Sequence, residues 1–277
     1  LSFSNLCSWR FLYDTQYAVI DNFLVFKFWA GEQLAYMMPV GSGDLKAILR
    51  ELIEDADKEK HNFCMLGVCS NMRADLEAIL PGQFTFTENR DYADYIYLRS
   101  DLATLKGKKF QAKRNHINRF RNTYPDYEYT PITPDRIQEC LDLEAEWCKV
   151  NNCDQQEGTG NERRALIYAL HNFEALGLTG GILHVNGKIV AFTFGMPINH
   201  ETFGVHVEKA DTNIDGAYAM INNEFANHIP EQYIYINREE DLGLEGLRKA
   251  KLSYQPVTIL EKYMACLKDH PMDIIRW

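Results

Sequence analysis

Gly181–Met196 reads GILHVNGKIVAFTFGM, two apolar runs on either side of Asn186-Gly187. Asn-Gly between such runs is the strongest short-range signal for a β-hairpin with a type I′ turn. The chain then turns into another strand, Thr202–Val207, so this region predicts an antiparallel meander. A polar loop and a helix opening at Gly216 follow, and then a further strand, Tyr233–Ile236. Because a strand–helix–strand crossover places its two strands parallel, the sequence predicts a mixed sheet.

The first half of the chain repeats this layout. A hairpin within Phe23–Val40 is followed by a helix, a strand, another helix and strands that end near Leu98. A proline-containing segment, Tyr124–Pro134, separates the halves. We therefore expect an α+β fold with two tandem domains, residues 1–125 and 126–277, each a mixed, mostly antiparallel sheet flanked by helices.

The composition is that of a globular protein, with 277 residues of which 46% are hydrophobic and 25% charged. A net charge of −10 argues against a general nucleic-acid binder, so any polyanion site must be local. No apolar run approaches the ~18 residues that a membrane helix needs, and we expect no signal peptide. The seven cysteines lack zinc-site spacing, which predicts reduced, mostly buried thiols, a cytoplasmic location and no metal site.

A basic segment runs from Leu102 to Pro125 without one acidic residue. Its apolar residues recur at roughly helical spacing, which predicts a helix with one face on the core and a basic face exposed. Lys113, Arg114 and Asn115 lie on this helix and are candidates for binding a phosphate or another anion. A solvated helix face is the alternative interpretation.

Four motifs resemble a bacterial family of uncharacterised proteins that is similar to the C-terminal domain of lysylphosphatidylglycerol synthases. They are Lys113–His116, Val205–Ala210, Ile236–Gly243, and Gly246–Lys251 followed by Tyr254 and Pro256. The resemblance implies the GCN5-related N-acyltransferase fold used twice in tandem, and kinship with the FemABX peptidoglycan aminoacyltransferases. It further implies transfer of an acyl or aminoacyl group, from acyl-CoA or aminoacyl-tRNA, to the amine or hydroxyl of a small acceptor.

The loop Asp211–Gly216 opens like an EF-hand, but Asn222 stands where the bidentate glutamate should be, and a strand precedes the loop. These differences exclude calcium binding. In the resembled fold, backbone N–H groups of this loop hold the pyrophosphate of coenzyme A at a helix N-terminus. The residues expected to bind that cofactor are Val207, Lys209, Asn213, Asp215, Gly216, Ala217 and Asn237. The carboxylates of Asp211 and Asp215 would repel a pyrophosphate, so a capped helix start is the alternative.

The segment that follows the last predicted strand carries the candidate catalytic groups. Asp241 is a candidate general base, with helix capping as the alternative. Lys251 matches the lysine of the resembled motif and could stabilise an oxyanion, while Tyr254 could protonate the leaving group. The other expected anion-binding side chains are His206, Arg238 and Arg248. A lone strand histidine is more often structural, and Arg248 could instead pair with a glutamate.

The motifs leave two classes of function open. No Ser/His/Asp elbow, P-loop or His-Glu-x-x-His pattern supports a hydrolase, a nucleotide triphosphatase or a zinc peptidase. The first class is a transferase that positions a donor and an acceptor for direct attack. The second is a non-catalytic protein that keeps the fold and its ligand pocket.

Overall fold

The structure is a computed structural model that describes residues 2–151 and 157–268. Its contacts divide the chain into two compact units. The larger unit holds Tyr95–Ile259 and the N-terminal residues up to Trp9. The smaller unit holds Arg10–Asp94 and the residues from Leu260 onward. The sequence pattern places a boundary after residue 125, whereas the contacts divide the chain after residues 9, 94 and 259.

The α-helices and strands alternate irregularly along the chain. The helices are α1 (Phe3–Ser8), α2 (Arg10–Tyr13), α3 (Leu45–Lys58), α4 (Ser70–Ile79), α5 (Arg99–Thr104), α6 (Gln111–Thr123), α7 (Ile137–Asn151), α8 (Glu157–His171), α9 (Ala217–His228) and α10 (Glu245–Leu252). The strands are β1 (Gln16–Ile20), β2 (Phe23–Ala30), β3 (Gln33–Tyr36), β4 (Val40–Gly41), β5 (Cys64–Val68), β6 (Phe84–Glu88), β7 (Asp94–Leu98), β8 (Glu128–Pro131), β9 (Thr179–Val185), β10 (Lys188–Pro197), β11 (Thr202–Ala210), β12 (Tyr235–Asn237), β13 (Thr258–Leu260) and β14 (Tyr263–Leu267).

The smaller unit is built on a sheet of order β1-β2-β3-β5-β14-β6, with β4 paired to β2. The predicted hairpin is confirmed as β2 and β3, which pair antiparallel. Helix α3 begins directly after Asp44, whose side chain accepts a hydrogen bond from the N–H of Ala47 at 3.1 Å and so caps the helix. The apolar face of α3, with Ile48 and Leu49 fully buried, covers the sheet.

The expectation that all cysteines are reduced is wrong for one pair. Cys64 on β5 and Cys266 on β14 are directly paired residues of adjacent antiparallel strands, and they form a disulfide. The pairing of β14 between β5 and β6 brings them together, although 202 residues separate them in sequence. Among the described residues, Cys69, Cys140 and Cys148 carry free thiols, and Cys153 lies outside the described residues.

The larger unit is built on a sheet of order β13-β7-β12-β11-β10-β9-β8. The predicted turn between β9 and β10 is confirmed, since Asn186 and Gly187 have φ angles of 52° and 71°, as a type I′ turn requires. Strands β11 and β12 are parallel, as the crossover through α9 predicts. The expected fold class is confirmed: mixed α+β, with two mixed sheets flanked by helices.

Strand β7 belongs to this sheet and not to that of the smaller unit. It pairs antiparallel with β12, with Tyr97 opposite Ile236. Tyr95 and Tyr97 are both fully buried. An alternating apolar pattern predicts a strand but does not select its partner, which is why the sequence pattern assigns this strand to the first half.

The pairing of β10 with β11 is irregular just beyond the point where β11 stops pairing with β12. The register between β10 and β11 shifts by one residue, so that His206 is extra on β11, a β-bulge. A Cβ on Gly195 would lie 1.8 Å from the carbonyl oxygen of Gly204, so only glycine fits here. No helix within the described residues is both long and apolar enough to cross a membrane.

Candidate functional site

The candidate site lies where β11 and β12 separate. Their parallel pairing covers Thr202 to Gly204 on β11 and ends at the pair Gly204–Asn237. Strand β11 continues to Ala210, while the chain after Asn237 turns away as a loop. The two strands therefore separate beyond this pair, and the segment Asn237–Gly243 borders the gap between them.

Asp241 is a buried carboxylate with its oxygens fully engaged. Tyr95 donates its hydroxyl to it at 2.5 Å, and Arg248 donates through Nε and a terminal nitrogen, both at 2.8 Å. The N–H of Gly243 adds a bond of 2.9 Å. The hydrogen bonds from Arg248 hold the pKa of Asp241 far below its usual range, despite burial, which acts to raise it. Such a carboxylate has little affinity for a proton, so the geometry favours a positioning role for Asp241 and Arg248.

Lys251 is buried, and its ammonium group lies under the same loop. Nζ donates to the carbonyl oxygens of Arg238 at 2.5 Å, Glu239 at 3.1 Å and Glu240 at 2.6 Å. All three protons of the Lys251 ammonium group are donated to backbone carbonyl oxygens, so none remains for an oxyanion. Lys251 therefore fixes the path of the backbone that presents Arg238, and this geometry favours positioning over direct chemistry.

Arg238 forms the centre of a polar group at the gap. Its Nη2 donates to Glu208 at 3.0 Å, and the other Glu208 oxygen accepts from the side-chain nitrogen of Asn222 at 3.1 Å. Within this polar group, two buried atoms lack a hydrogen-bond partner: Nη1 of Arg238 and Oδ1 of Asn222. A buried donor and a buried acceptor without partners cost free energy unless a ligand or a water satisfies them.

Lys113 and Tyr254 complete this group. The Lys113 ammonium lies 3.9 Å from the centre of the Tyr254 ring, and the Arg238 guanidinium lies 4.8 Å from the same centre. Lys113 makes no ion pair with any described residue. Partial burial, reinforced by the positive charge of Arg238, lowers the pKa of Lys113 to about 8. We call Lys113, Glu208, Asn222, Arg238 and Tyr254 the Arg238 cluster.

Tyr254 itself is an unfavourable proton donor. Its ring is buried, and burial raises the pKa of its hydroxyl well above the usual value. Its ring lies against both Lys113 and Arg238, which indicates a cation–π contact with each, whereas the predicted role as general acid stays a prediction.

His206 belongs to a separate hydrogen-bonded network, which reaches the same loop through Glu239. Its Nδ1 bonds Glu239 at 2.7 Å and its Nε2 bonds the Ser2 hydroxyl at 2.9 Å. Asn5 donates to the same Glu239 oxygen at 2.7 Å, so this chain anchors the N-terminal segment. Glu239 adopts a φ of 58°, and its N–H is held by the side chain of Asn237 at 2.7 Å. Sequence patterns did not reveal this Ser–His–Glu arrangement, because its members are far apart in the chain.

The loop before α9 packs against helix α6. A Cβ on Gly216 would lie 3.0 Å from the carbonyl oxygen of His116, and Gly216 has a φ of 85°. Asp215 pairs with Arg119 at 2.8 Å, and Ala217 is buried in the core. The helix start expected to receive a pyrophosphate thus has α6 against it, and the predicted cofactor role of these residues stays a prediction.

The other residues expected to bind a cofactor have protein partners. The N–H and side-chain nitrogen of Asn213 both donate to Asp211 at 2.9 Å. The ammonium of Lys209 pairs with Glu162 at 2.9 Å and lies 3.6 Å from the centre of the Trp147 ring. The carbonyl oxygen of Val207 accepts from Thr193 on β10 at 2.7 Å. These contacts of Val207, Lys209 and Asn213 hold the end of β11 and the loop that follows it.

The basic segment forms α6 and the turn before it. Ile117 and Phe120 are buried in the core, which confirms the docked face. Arg114 donates to the carbonyl oxygens of Leu105 and Gly107, so it closes the end of α5. Asn115 is exposed, and so are Lys106 and Lys108, which form no ion pair with a described residue. Two exposed cations, Lys106 and Lys108, therefore lie just before the helix that carries Lys113 of the Arg238 cluster.

Comparison with known proteins identifies relatives along the whole chain. The family model described as "Phosphatidylglycerol lysyltransferase, C-terminal" matches residues 1–266. An uncharacterised protein of Mycoplasmoides gallisepticum is 26% identical over 175 residues, which cover 62% of this chain and 55% of that protein. The chain thus spans about half the length of this curated relative.

Solved structures extend the comparison. A conserved protein of unknown function from Bacteroides thetaiotaomicron is 95% identical, with a TM-score of 0.94, covering 96% of this chain and 90% of that one. The structure of L-PGS from Bacillus licheniformis is 18% identical, with a TM-score of 0.68, covering 99% of this chain and 90% of that one. At such low identity, the second match bears on the fold alone.

Proposed function

Because the chain belongs to the family of phosphatidylglycerol lysyltransferase C-terminal domains, we propose that it is a transferase that moves an aminoacyl group from aminoacyl-tRNA to a hydroxyl or amine acceptor. One observation carries the proposal: the Arg238 cluster presents two cations and two unpartnered buried polar atoms at the gap between β11 and β12. In open sheets with parallel neighbours, ligands bind where such strands separate.

The chemistry is a direct attack on the donor ester. The acceptor oxygen or nitrogen bonds to the ester carbonyl carbon, and the bond from that carbon to the tRNA 3′-oxygen (or 2′-oxygen) breaks. The acceptor loses one proton and the tRNA oxygen gains one, so no covalent enzyme intermediate is needed. Arg238 Nη1 and the Lys113 ammonium are the groups that would stabilise the oxyanion, a contribution of roughly 3 kcal/mol for each well-placed donor.

The surroundings favour a tRNA donor over coenzyme A. Packing of Gly216 against the backbone of α6, and the carboxylate of Asp215 beside it, both disfavour a pyrophosphate at the start of α9. The exposed cations Lys106 and Lys108 precede α6 and are suited to contact a phosphate backbone. Local positive charge on a protein of net charge −10 is what a polyanion donor requires.

The test compares two donors under the same conditions. Bacterial tRNA charged with a mixture of radiolabelled amino acids is incubated with the protein and with glycerol or ethanolamine as acceptor. We expect label to leave the acid-precipitable tRNA and to appear in the acceptor. Acetyl-CoA in a parallel reaction should release no thiol. Thiol release with charged tRNA left intact would overturn the choice of donor, and binding of tRNA without any transfer would favour the non-catalytic alternative.

A further inference from the structure

In the side chain of Asn222, the amide nitrogen is held by Glu208, whereas the amide oxygen has no partner. A carboxylate accepts hydrogen bonds and cannot donate them when ionised. The Asn222 side chain lies 3.1 Å from a Glu208 oxygen, so the atom that faces Glu208 must be the amide nitrogen, the only donor. The carbonyl oxygen, Oδ1, therefore points elsewhere, and it is buried without a hydrogen-bond donor. Asn222 is only 5% exposed, so bulk water does not solvate this atom.

The Arg238 cluster thus contains one hydrogen-bond donor and one hydrogen-bond acceptor that lack partners. Nη1 of Arg238 is an unpartnered donor, and Oδ1 of Asn222 is an unpartnered acceptor, and both residues bond the same carboxylate, Glu208. The half-buried Lys113 adds a positive charge on the donor side. A ligand that satisfies the site must carry an acceptor atom for the cations and a donor group for Asn222.

An aminoacyl ester has these two groups one carbon apart. Its carbonyl oxygen is an acceptor, and its α-ammonium group is a donor with three protons. A plain acyl ester or thioester has the carbonyl oxygen but lacks the ammonium, and would leave Oδ1 of Asn222 unsatisfied. Leaving a buried polar atom unpaired is how a site rejects an analogue that lacks one hydrogen-bonding group.

We propose that Asn222 accepts a hydrogen bond from the α-ammonium group of the donor, so that the site takes aminoacyl donors with an unblocked α-amino group and rejects acyl and Nα-acylated donors. This inference rests on the proposed function, because it assigns the aminoacyl ester to the Arg238 cluster. It adds a specificity-determining residue and a substrate class: aminoacyl donors that carry a free amine.

The experiment uses one preparation of tRNA charged with mixed radiolabelled amino acids, half of it acetylated at the α-amino groups with acetic anhydride. Transfer to glycerol or ethanolamine is measured for both halves. We expect the free donor to react about 10- to 100-fold faster, the range of one charge-assisted hydrogen bond. Asn222→Leu should slow the free donor and shrink the ratio toward one. The matched control is Asn227→Leu, on the same helix, whose exposed amide bonds Ala103 and Asn223 instead; it should keep the ratio.

The outcomes separate this inference from the proposed function. Equal transfer from both halves, as expected if a water bridges Asn222 and Arg238, would overturn the inference and leave the aminoacyltransferase intact. A ratio that survives in Asn222→Leu would overturn the role of Asn222. Transfer from neither half would contradict the proposed function itself. Thermal unfolding of both variants shows whether a lost rate reflects a lost fold, and the comparison of donors on the unaltered protein needs no variant.

Discussion

Replacing Lys251 with methionine tests whether this lysine positions the loop or takes part in the chemistry. Methionine has a similar length and no charge, so Lys251→Met deletes the bonds to the carbonyls of Arg238, Glu239 and Glu240 at 2.5, 3.1 and 2.6 Å. An orphaned buried acceptor costs about 1–3 kcal/mol. Because these three residues are only partly buried, water can reach some of the carbonyls. We therefore take about 1 kcal/mol each, or about 3 kcal/mol in all.

The expected result is a less stable protein. A loss of 1 kcal/mol lowers the Tm of a unit of this size by about 2–4 °C, so Lys251→Met should lower it by about 6–12 °C. Calorimetry on the full chain measures this shift. The matched control is Lys249→Met on the same helix, where the lysine is exposed, and its Tm should stay within about 1 °C of the unaltered protein.

One result would refute the positioning role. If Lys251→Met melts like the unaltered protein and yet loses transfer activity, the lysine acts in the chemistry, as its match to the resembled motif implies. If instead Tm falls and the remaining folded protein binds donor poorly, the loop carrying Arg238 has lost its support, as we expect.

Lys113, Gly216 and the disulfide each lead to a further prediction. Burial lowers the pKa of Lys113 to about 8, so its positive charge is lost as pH rises through 8. Affinity for charged tRNA, measured by filter binding, should therefore fall between pH 7 and 9. Lys113→Arg should flatten this dependence, because arginine stays charged. Gly216→Ala places a Cβ 3.0 Å from the His116 carbonyl at a φ of 85° and should cost about 1–2 kcal/mol in urea unfolding, whereas Gly246→Ala, with open space around it in α10, should be neutral or stabilising. Thiol titration of the denatured chain should find two more thiols after reduction than before it, and an unchanged count would contradict the pairing. Reduction should destabilise the smaller unit by up to about 5 kcal/mol, since the Cys64–Cys266 bond closes a loop of 202 residues.

The elements that the sequence predicts well are those with local causes. The hairpin at Asn186-Gly187 is specified by two adjacent residues that tolerate positive φ. Helix α3 begins at Leu45 because the side chain of Asp44, the residue before it, caps the first turn. Neither feature depends on a distant part of the chain, so residue order alone is sufficient to infer it.

The elements that the sequence does not predict depend on pairing across long separations. Strand β7 has an ordinary alternating pattern, and only its register with β12 places it in the larger unit. Strand β14 joins β5 and β6, which brings Cys266 opposite Cys64. No spacing rule connects residues that are 202 positions apart.

In the candidate site, too, the sequence predicts some of the residues but not the contacts that their side chains make. Motif resemblance selects Lys113, Arg238 and Lys251, and the first two lie in the Arg238 cluster. It does not reveal that Lys251 bonds backbone carbonyls, because that depends on the path of a loop. Asn222 was missed as a site residue, since it entered the sequence argument only as the wrong residue for a calcium loop. The signal that could have found it is an asparagine on the buried face of an apolar helix.

The most direct test of the central claim is the single-turnover rate of aminoacyl transfer from charged tRNA by the unaltered protein and by Arg238→Leu. Arg238 supplies the unpartnered donor of the Arg238 cluster, so its removal should lower the rate by about 100-fold or more. Lys109→Met serves as the control, because this lysine is exposed, pairs with Asp101 and lies outside the cluster. We predict a large loss in Arg238→Leu and near-normal transfer in Lys109→Met. A rate in folded Arg238→Leu equal to that of the control would contradict the assignment of the aminoacyl ester to this cluster.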